Sequence, residues 1–404
     1  MQRLHKMRPA GAAMIKRPAW TLPVIVFAQF AGTAIWFSGN AVLPDLMQRW
    51  PAPSSMAGWV TSAVQLGFIA GTLVFAFFAV SDRYSPRRVF LLCAVAGALS
   101  NLSTGLVDTG PSGLLALRVM TGFFLAGIYP VGMKIAAGWY KKGLGNAMGF
   151  LIGALVLGTA FPHLLKGGMS SLPWQATIIL SSGVCLLGGI SMAVLVPDGP
   201  YLARGTRFNP MAVAALFGHR PLRAAACGYF GHMWELYTLW AFMPVFLTAY
   251  VSRTPDLSLN VSVWSFLAIA AGSLGCVAGG RVSRRAGSAT VAAVQLSVSG
   301  ACCLMSPLFY RAPPALFLPF LLLWGMAVVG DSPQFSTIIA HTAPRDLVGS
   351  ALTLVNSIGF SITVVSLSLI QWLSAVVPPP VLLVPLAAGP AVGLVCMRSL
   401  VGKR

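Results

Sequence analysis

Twelve apolar stretches, each about 18 residues or longer, are the feature that most restricts how this chain can fold. They lie at roughly 20–43, 56–80, 88–107, 112–139, 144–165, 173–196, 221–249, 260–279, 288–310, 314–341, 347–373 and 378–399. Inside a bilayer only helices and closed barrels satisfy their own backbone hydrogen bonds. The stretches therefore predict an all-α membrane protein with twelve transmembrane helices. The first stretch follows basic residues, as a signal peptide would, but it is too long for one and is expected to be retained.

A sequence repeat divides these spans into two sets of six. The segment that begins Gly127-Ile-Tyr-Pro130 returns 203 residues later as Gly330-Asp-Ser-Pro333. Phe30 and Pro44 recur as Phe230 and Pro244, and Gly145-Asn-Ala147 recurs as Gly349-Ser-Ala351. Parallel repeats in a membrane protein predict a solute site between the halves. We expect an N-terminal six-helix half at 1–196, a cytoplasmic linker at 197–220 and a C-terminal half at 221–404.

The basic residues report the orientation of the chain. Hydrophobic residues make up 57% and charged residues 9%, yet the net charge is +19. If the spans alternate, 21 Lys and Arg residues lie on the side of the N-terminus, against four on the other side (Arg49, Lys166, Arg253 and Arg311). Cytoplasmic loops carry such an excess. Both termini are therefore expected in the cytoplasm, with the lipid bilayer as the partner of the basic residues and no role for nucleic acid.

The loop after the second span carries a recognisable motif. It reads Ser81-Asp82-Arg83-Tyr84-Ser85-Pro86-Arg87-Arg88, and Gly279-Gly-Arg-Val-Ser-Arg284-Arg285 stands at the matching place in the second half. This resembles the major facilitator superfamily (MFS), whose loop signature is Gly-x-x-x-Asp-Arg-x-Gly-Arg-Arg/Lys. Phe78, Ser85 and Pro86 depart from that signature. Arg118-Val-Met-Thr-Gly122 matches a second family pattern, whereas the Gly-Pro signature of proton-driven drug exporters is missing from the fifth span.

The resemblance implies the MFS fold and a secondary transporter that works by alternating access. The loop charges Asp82, Arg83, Arg87 and Arg88 are candidates for a cytoplasmic gate. An Asp beside Arg side chains and a helix terminus can hold a gate closed through charge-assisted hydrogen bonds. The alternative is that these residues are ordinary charges that set topology, which accounts for the Arg residues but not for Asp82.

Two carboxylates lie inside spans, Glu235 and Asp331. A charge at this depth is costly unless it is paired, hydrated or protonated. Both residues should face the bundle interior, and each is a candidate proton carrier. His232 lies three residues before Glu235 on the same helix face and joins the predicted proton-coupling set. A structural ion pair, or an acid that never titrates, remains the alternative.

Arg118 is the candidate cation of the substrate cavity. It lies about as deep in the fourth span as Glu235 does in the seventh, so the two could pair across the halves. On a continuous helix Tyr129 would fall within about 20° of Arg118, which also places Tyr129 in the cavity. A structural link between spans is the alternative for Arg118. Lys134 falls on the opposite face and is expected to extend toward the cytoplasm.

Other polar and aromatic side chains at similar depth complete the predicted site. Amides can bind a solute or a neighbouring helix, and aromatic rings can stack on a planar solute or pack against helices. The candidates are Gln29, Gln65, Gln334, Asn356 and Trp36, with Trp234, Tyr237 and Trp240 as further stacking surfaces.

No enzymatic motif supports a catalytic function. With a single Glu, sites built on a pair of Glu residues are excluded, and the chain has no P-loop sequence. Because the P-loop is missing, ATP is not expected to drive the protein directly, and we expect no cofactor and no metal. The sequence favours a proton-coupled transporter of a small organic solute in the inner or plasma membrane, acting as a monomer. The alternative is a sensor or assembly protein on the same fold; the substrate and the direction of transport stay open.

Overall fold

A computed structural model describes residues 18–50, 56–108, 110–140, 144–169, 171–202, 209, 211–254, 257–344 and 347–401. The side chain of Asp82 lies outside this description. So do several of the basic residues used above to predict orientation: Arg3, Lys6, Arg8, Lys16, Arg17, Lys141, Lys142, Arg204, Arg207, Arg345, Lys403 and Arg404.

The described residues form eighteen α-helices, numbered here in chain order. They are α1 Thr21–Thr33, α2 Ser38–Ala41, α3 Leu43–Arg49, α4 Met56–Phe77, α5 Val80–Arg83, α6 Pro86–Leu106, α7 Gly110–Leu125, α8 Tyr129–Trp139, α9 Leu144–Gly168, α10 Gln175–Leu195, α11 Met211–Gly218, α12 Arg220–Arg253, α13 Val261–Ala286, α14 Ser288–Arg311, α15 Pro314–Gly330, α16 Ser332–Thr342, α17 Val348–Leu373 and α18 Ala388–Met397. Two short 3₁₀ helices, Pro379–Val381 and Val384–Ala387, precede α18. The all-α class predicted from the sequence is confirmed.

Ten segments of the described chain are long and apolar enough to cross a membrane. The other two predicted spans correspond to α1–α3 and to α12. The α1 helix is apolar but has only 13 residues. In contrast, α12 is a continuous helix of 34 residues whose sequence is less apolar and includes His232 and Glu235. The helices are consistent with the predicted twelve spans. We refer to α1–α10 as the first half and to α12–α18 as the second half.

The repeated Gly-x-x-Pro segments are helix interruptions. The fourth span stops at Leu125 and resumes at Tyr129, with Pro130 in the first turn of α8. The tenth span stops at Gly330 and resumes at Ser332, with Pro333 in the first turn of α16. Proline fits a first turn because the amide hydrogen it lacks would have no partner there. The most visible repeat therefore encodes a break at the same place in both halves.

Glycine contacts repeat in the same way. A Cβ on Gly122 would lie 2.0 Å from the Val64 carbonyl oxygen, and one on Gly325 would lie 1.8 Å from that of Ala268. These glycines are 203 residues apart and the carbonyls 204 apart. In the same two helix pairs, Gly71 faces the Phe123 carbonyl and Gly275 faces that of Met326. Glycine lets the backbones of α4 and α7, and of α13 and α15, approach closely.

The halves meet along two seams, where α9 packs against α13 and α4 packs against α17. Both seams carry a hydrogen bond near the ends remote from the predicted cytoplasmic loops. The Gly58 amide donates to Gln371 Oε1 at 3.1 Å. The Asn260 side-chain amide donates to the Gly167 carbonyl at 3.0 Å. One buried hydrophobic cluster runs through both halves, so the centre of the protein is packed closed.

Candidate functional site

A small cavity lies between the halves at the centre of the bundle. Its volume is about 20 Å³, room for roughly one water molecule. The first half contributes Tyr129 at the start of α8. The second half contributes Tyr229, Tyr237 and Trp240 from α12, with Ser332 and Phe360 among the others. The lining therefore comes from both repeats, as the sequence repeat predicts for a solute site.

Aromatic rings from both halves stack beside this cavity. Trp36, in the turn after α1, stacks on Tyr237 with ring centroids 5.6 Å apart and planes 22° apart. It also stacks on Phe360 at 6.1 Å, and Phe68 of α4 meets Phe360 at 4.5 Å. Trp36 and Phe360 are buried. These rings join the halves, so the halves cannot separate here without breaking aromatic contacts.

Arg118 lies outside the cavity, buried at the junction of the first, third and fourth spans. Its guanidinium donates to Asn101 Oδ1 at 2.9 Å and to the carbonyl oxygens of Ile35, at 3.1 Å, and Trp36. A longer bond reaches Ser38 Oγ at 3.3 Å. All these groups belong to the first half. We name Arg118, Asn101, Ser38 and the Ile35 and Trp36 carbonyls the arginine junction.

The break in the first span creates this junction. The α1 helix ends at Thr33 and α2 begins at Ser38, so carbonyls near the break lose their helical donors. A cation at such a C-terminal end is favourable because it meets the negative end of the helix dipole. Asn101 in turn donates to Ser182 Oγ at 2.9 Å and so connects the sixth span.

Two expectations about Arg118 are wrong. It does not pair with Glu235, because its donors are directed to carbonyls and Asn101 within the first half. It also does not share a face with Tyr129, because the interruption between Leu125 and Tyr129 breaks the helical phase. Tyr129 alone reaches the cavity. Lys134 donates to the Ser81 carbonyl at 2.7 Å, next to the charged loop.

Glu235 occupies the corresponding junction of the seventh, ninth and tenth spans. Its Oε1 accepts hydrogen bonds from Ser299 Oγ, from Trp324 Nε1 at 3.0 Å and from Cys303 Sγ at 3.3 Å. Ser299 and Cys303 are four residues apart on α14 and so share one face. We name these four residues the glutamate junction. All the donors are neutral, and Glu235 is only 1% exposed.

Glu235 points away from the cavity and into its own half. At 100° per residue, it lies about 140° around α12 from the mean direction of the cavity-lining residues. His232 lies between these two directions. It contacts Asp331, not Glu235: His232 Nδ1 is 2.8 Å from Asp331 Oδ1. Neither atom makes a well-directed hydrogen bond to any described residue, and the contact is an ion pair only when His232 is protonated and Asp331 ionised.

Asp331 sits at the interruption between α15 and α16, where Ile128 stands in the first half. Its neighbours Ser332 and Val329 line the cavity. The Tyr229 ring lies 5.8 Å from the His232 ring, and Tyr229 also lines the cavity. The His232–Asp331 pair is therefore one side chain removed from the central cavity, and both residues are 1% exposed.

The predicted amides do not line the closed cavity. Gln29 and Gln65 are fully buried, and none of their amide atoms has a hydrogen-bond partner among the described residues. Gln29 packs against Gly132 of α8. Gln334 is buried in α16, and Asn356 is half-buried in α17. Their roles in binding stay predictions.

The described contacts of the charged loop reach Lys134 of α8 and Asp198, which follows α10 in the predicted linker. Arg87 Nε lies 3.7 Å from Asp198 Oδ1. Ser85 Oγ donates to both Asp198 oxygens, at 3.1 and 3.3 Å. Arg83 and Arg88 are exposed. The backbone of Asp82 belongs to α5, but its side chain lies outside the described part, so its gate role stays a prediction.

Several residues of the site were not predicted from the sequence. Tyr229, Met233 and Leu236 of the cavity lining were not predicted, although they recur at helical spacing on α12 with the predicted Tyr237 and Trp240. The donors to Glu235 and the Asn101 partner of Arg118 come from other spans. No local pattern marks them.

The fold is that of a helical membrane protein, with ten segments of the described chain long and apolar enough to cross a membrane. The family model of the Major Facilitator Superfamily matches residues 25–393, and the chain therefore belongs to this superfamily. Among solved structures, it is similar to the human organic anion transporter MFSD10 (TETRAN), with a TM-score of 0.71 and 16% identity over 94% of this chain and 100% of that one. A point mutant of the nucleoside transporter NupG is similar at a TM-score of 0.71 and 12% identity over 94% and 98%. No curated protein sequence matches the chain significantly.

Proposed function

We propose that this protein is a secondary active transporter that couples proton movement to the passage of a small organic solute by alternating access. The six-helix halves, 1–196 and 221–404, rock about the central cavity, and the segment 197–220 is the cytoplasmic linker. The protein acts as a monomer in the inner or plasma membrane, with both termini in the cytoplasm.

One observation carries the proton coupling: two carboxylates are buried in the second half with no Lys or Arg among their described contacts. Among the described residues, Glu235 accepts from neutral donors, and the ionisable side chain in contact with Asp331 is His232. A buried carboxylate without a fixed cation is stabilised when it takes up a proton. Loading and release of a proton at these residues would thus accompany closing and opening of the centre.

The cytoplasmic gate is part of the proposal. Asp82, Arg83, Arg87 and Arg88 border the loop that Lys134 binds through the Ser81 carbonyl. The ion pair between Arg87 and Asp198 connects the same loop to the segment that follows the sixth span. We expect Asp82→Asn to slow transport while leaving substrate affinity intact. Wild-type turnover in that variant would remove Asp82 from the gate.

The test is transport by purified protein in liposomes. A ligand-stabilisation screen first identifies a solute, because a ligand that binds the folded protein raises the apparent stability of the protein. Organic anions and nucleosides are the first probes, because the similar solved structures are those of an organic anion transporter and a nucleoside transporter. Uptake is then measured with and without an imposed pH gradient. A sensor or assembly protein would show no uptake under either condition.

Glu235→Gln is the decisive variant because it keeps the shape and an acceptor oxygen but cannot titrate. We expect it to lose gradient-driven accumulation and to keep exchange without a gradient. Asp108→Asn is the matched control, since Asp108 is a half-exposed carboxylate paired with Arg49 away from the centre. Wild-type accumulation by Glu235→Gln would transfer the role to Asp331, where Asp331→Asn gives the same test. Accumulation by both variants would refute the coupling.

A further inference from the structure

We propose that the central site binds a planar organic cation: a flat ring system that carries a positively charged nitrogen. This proposal names the solute class for the transport function proposed above and rests on it. Three features of the centre support it: the ring faces, the distribution of charge, and the free polar atoms.

The ring faces come from both halves. Trp36 of the first half and Tyr237 of the second are stacked with ring centroids 5.6 Å apart, and Tyr237 meets Trp240 edge to face at 5.2 Å. A flat ring between two such faces needs a separation of about 7 Å, twice the contact distance of carbon atoms. A planar solute therefore fits after the Trp36 and Tyr237 rings move slightly apart, and its own ring contacts replace the ones that this movement breaks. A bulky nonplanar solute would require a larger separation.

The charge around the cavity opposes an anion. Among the described residues, the cavity lining contains no Lys or Arg. Arg118, the buried cation nearest in sequence to Tyr129, is 0% exposed, and its guanidinium is turned to the Ile35 and Trp36 carbonyls. Asp331 and His232 lie next to the lining residues Ser332 and Tyr229. When Asp331 is ionised, an anion bound here would face its carboxylate, whereas a cation gains from that carboxylate and from the negative ring faces.

The free polar atoms suit a solute with N–H groups. Tyr129, Tyr229 and Tyr237 all line the cavity. The Tyr229 ring also lies 5.8 Å from the ring of His232, the partner of Asp331. Hydroxyl oxygens accept hydrogen bonds from a protonated or aromatic nitrogen. Trp36 Nε1 and Trp240 Nε1 are buried without partners among the described residues, and each can donate to a polar edge of the ring.

The experiment is equilibrium dialysis of the purified full chain in detergent, with empty micelles as the blank. Four probes separate shape from charge: N-methylquinolinium (planar cation), 2-naphthoate (planar anion), 2-naphthamide (planar and neutral) and cyclohexyltrimethylammonium (nonplanar cation). We expect N-methylquinolinium to bind at least about tenfold more tightly than each of the others, a factor equal to about 1.4 kcal/mol. Tighter or equal binding of 2-naphthoate would overturn the proposal, and so would no binding of N-methylquinolinium.

Variants locate the site. Trp36→Leu should weaken the binding of N-methylquinolinium and of 2-naphthamide to the same extent. Trp240→Phe replaces this variant if Trp36→Leu does not fold. Asp331→Asn should reduce the preference for the cation over the neutral probe. Trp372→Leu is the control: Trp372 lines a separate cavity of about 340 Å³ between α4 and α17. Loss of binding in Trp372→Leu, with binding intact in the central variants, would place the site there and overturn the proposal.

Binding is measured without a gradient, so its failure is distinguishable from failure of the transport function. Gradient-driven uptake of another solute, without N-methylquinolinium binding, would refute only the solute class. Binding of N-methylquinolinium that never leads to uptake in liposomes would support the site and refute transport.

Discussion

The two halves place opposite charges at the same junction of helices. In the first half, spans one, three and four meet at Arg118. In the second half, spans seven, nine and ten meet at Glu235. Glu235 stands 200 residues after Ile35, whose carbonyl binds Arg118. Arg keeps its charge at all physiological pH values, whereas a carboxylate can take up a proton. The arginine junction is therefore suited to holding its helices together permanently. The glutamate junction is suited to gaining and losing a proton.

The backbone conformation around the two charged residues also differs, and the difference matches their charge. A buried cation needs acceptors, and the break after α1 supplies free carbonyls for Arg118. A buried carboxylate needs donors, but the amide hydrogens inside a continuous helix already bond to carbonyls four residues earlier. Glu235 lies within the 34 unbroken residues of α12 and takes its donors from the side chains of Ser299, Trp324 and Cys303. The first span is broken beside Arg118, which binds the free carbonyls at the break. The equivalent seventh span is continuous beside Glu235, which binds side-chain donors.

The largest expected effect tests whether the arginine junction is structural. Arg118→Ala should lower the free energy of unfolding by about 3–5 kcal/mol, because it leaves several buried acceptors without donors. Arg118→Lys should recover only part of this, since an ammonium cannot reproduce the planar fork of donors. The measurement is thermal unfolding in detergent, alongside uptake. A variant of wild-type stability that has lost solute binding would return Arg118 to the substrate cavity.

A matched pair of glycine variants tests where the halves are alike. In Gly122→Ala and Gly325→Ala the new methyl group meets a backbone carbonyl at 2.0 and 1.8 Å, and the helix must shift. Each should cost about 1–3 kcal/mol of stability. Gly183→Ala is the control, since its added Cβ would meet no described atom within 4 Å apart from its chain neighbours and the nearby backbone of its own helix. A large cost in one half and none in the other would contradict equivalent packing.

The glutamate junction should tolerate loss of its charge. Glu235→Gln retains an oxygen for Ser299 and Trp324, so we expect its stability to stay within about 1 kcal/mol of the wild type. Unfolding curves of Glu235→Gln and Arg118→Ala, recorded side by side, show the contrast. Equal destabilisation would mean that both junctions are structural, and gradient-driven transport would then depend on Asp331.

The smallest expected effect concerns Ala79, at the start of the charged loop. Ala79 adopts a left-handed conformation, with φ of 49°, between α4 and α5. Such a backbone costs an alanine about 1 kcal/mol, and glycine adopts it freely. We expect Ala79→Gly to raise stability by up to about 1 kcal/mol, visible as a higher midpoint of thermal unfolding. Ala76→Gly, inside α4, is the control and should lower the midpoint.

Apolar length and motif were sufficient to predict the fold class and the superfamily. Long apolar runs have few alternatives in a bilayer, and the loop motif is local in sequence. The Gly-x-x-Pro repeat also marked both interruptions, although the consequence for Tyr129 was missed because a continuous helix was assumed. Phase along a helix is readable from spacing only as long as the helix is unbroken.

The sequence by itself determined which groups are buried in the membrane: Arg118, His232, Glu235 and Asp331. Only the tertiary structure decided their partners. Arg118 binds carbonyls, Glu235 binds a hydroxyl, an indole and a thiol, and His232 contacts Asp331. The physical reason is that depth follows from chain length at a fixed rise per residue. Partners instead depend on the rotation and crossing of helices that lie tens of residues apart in the chain.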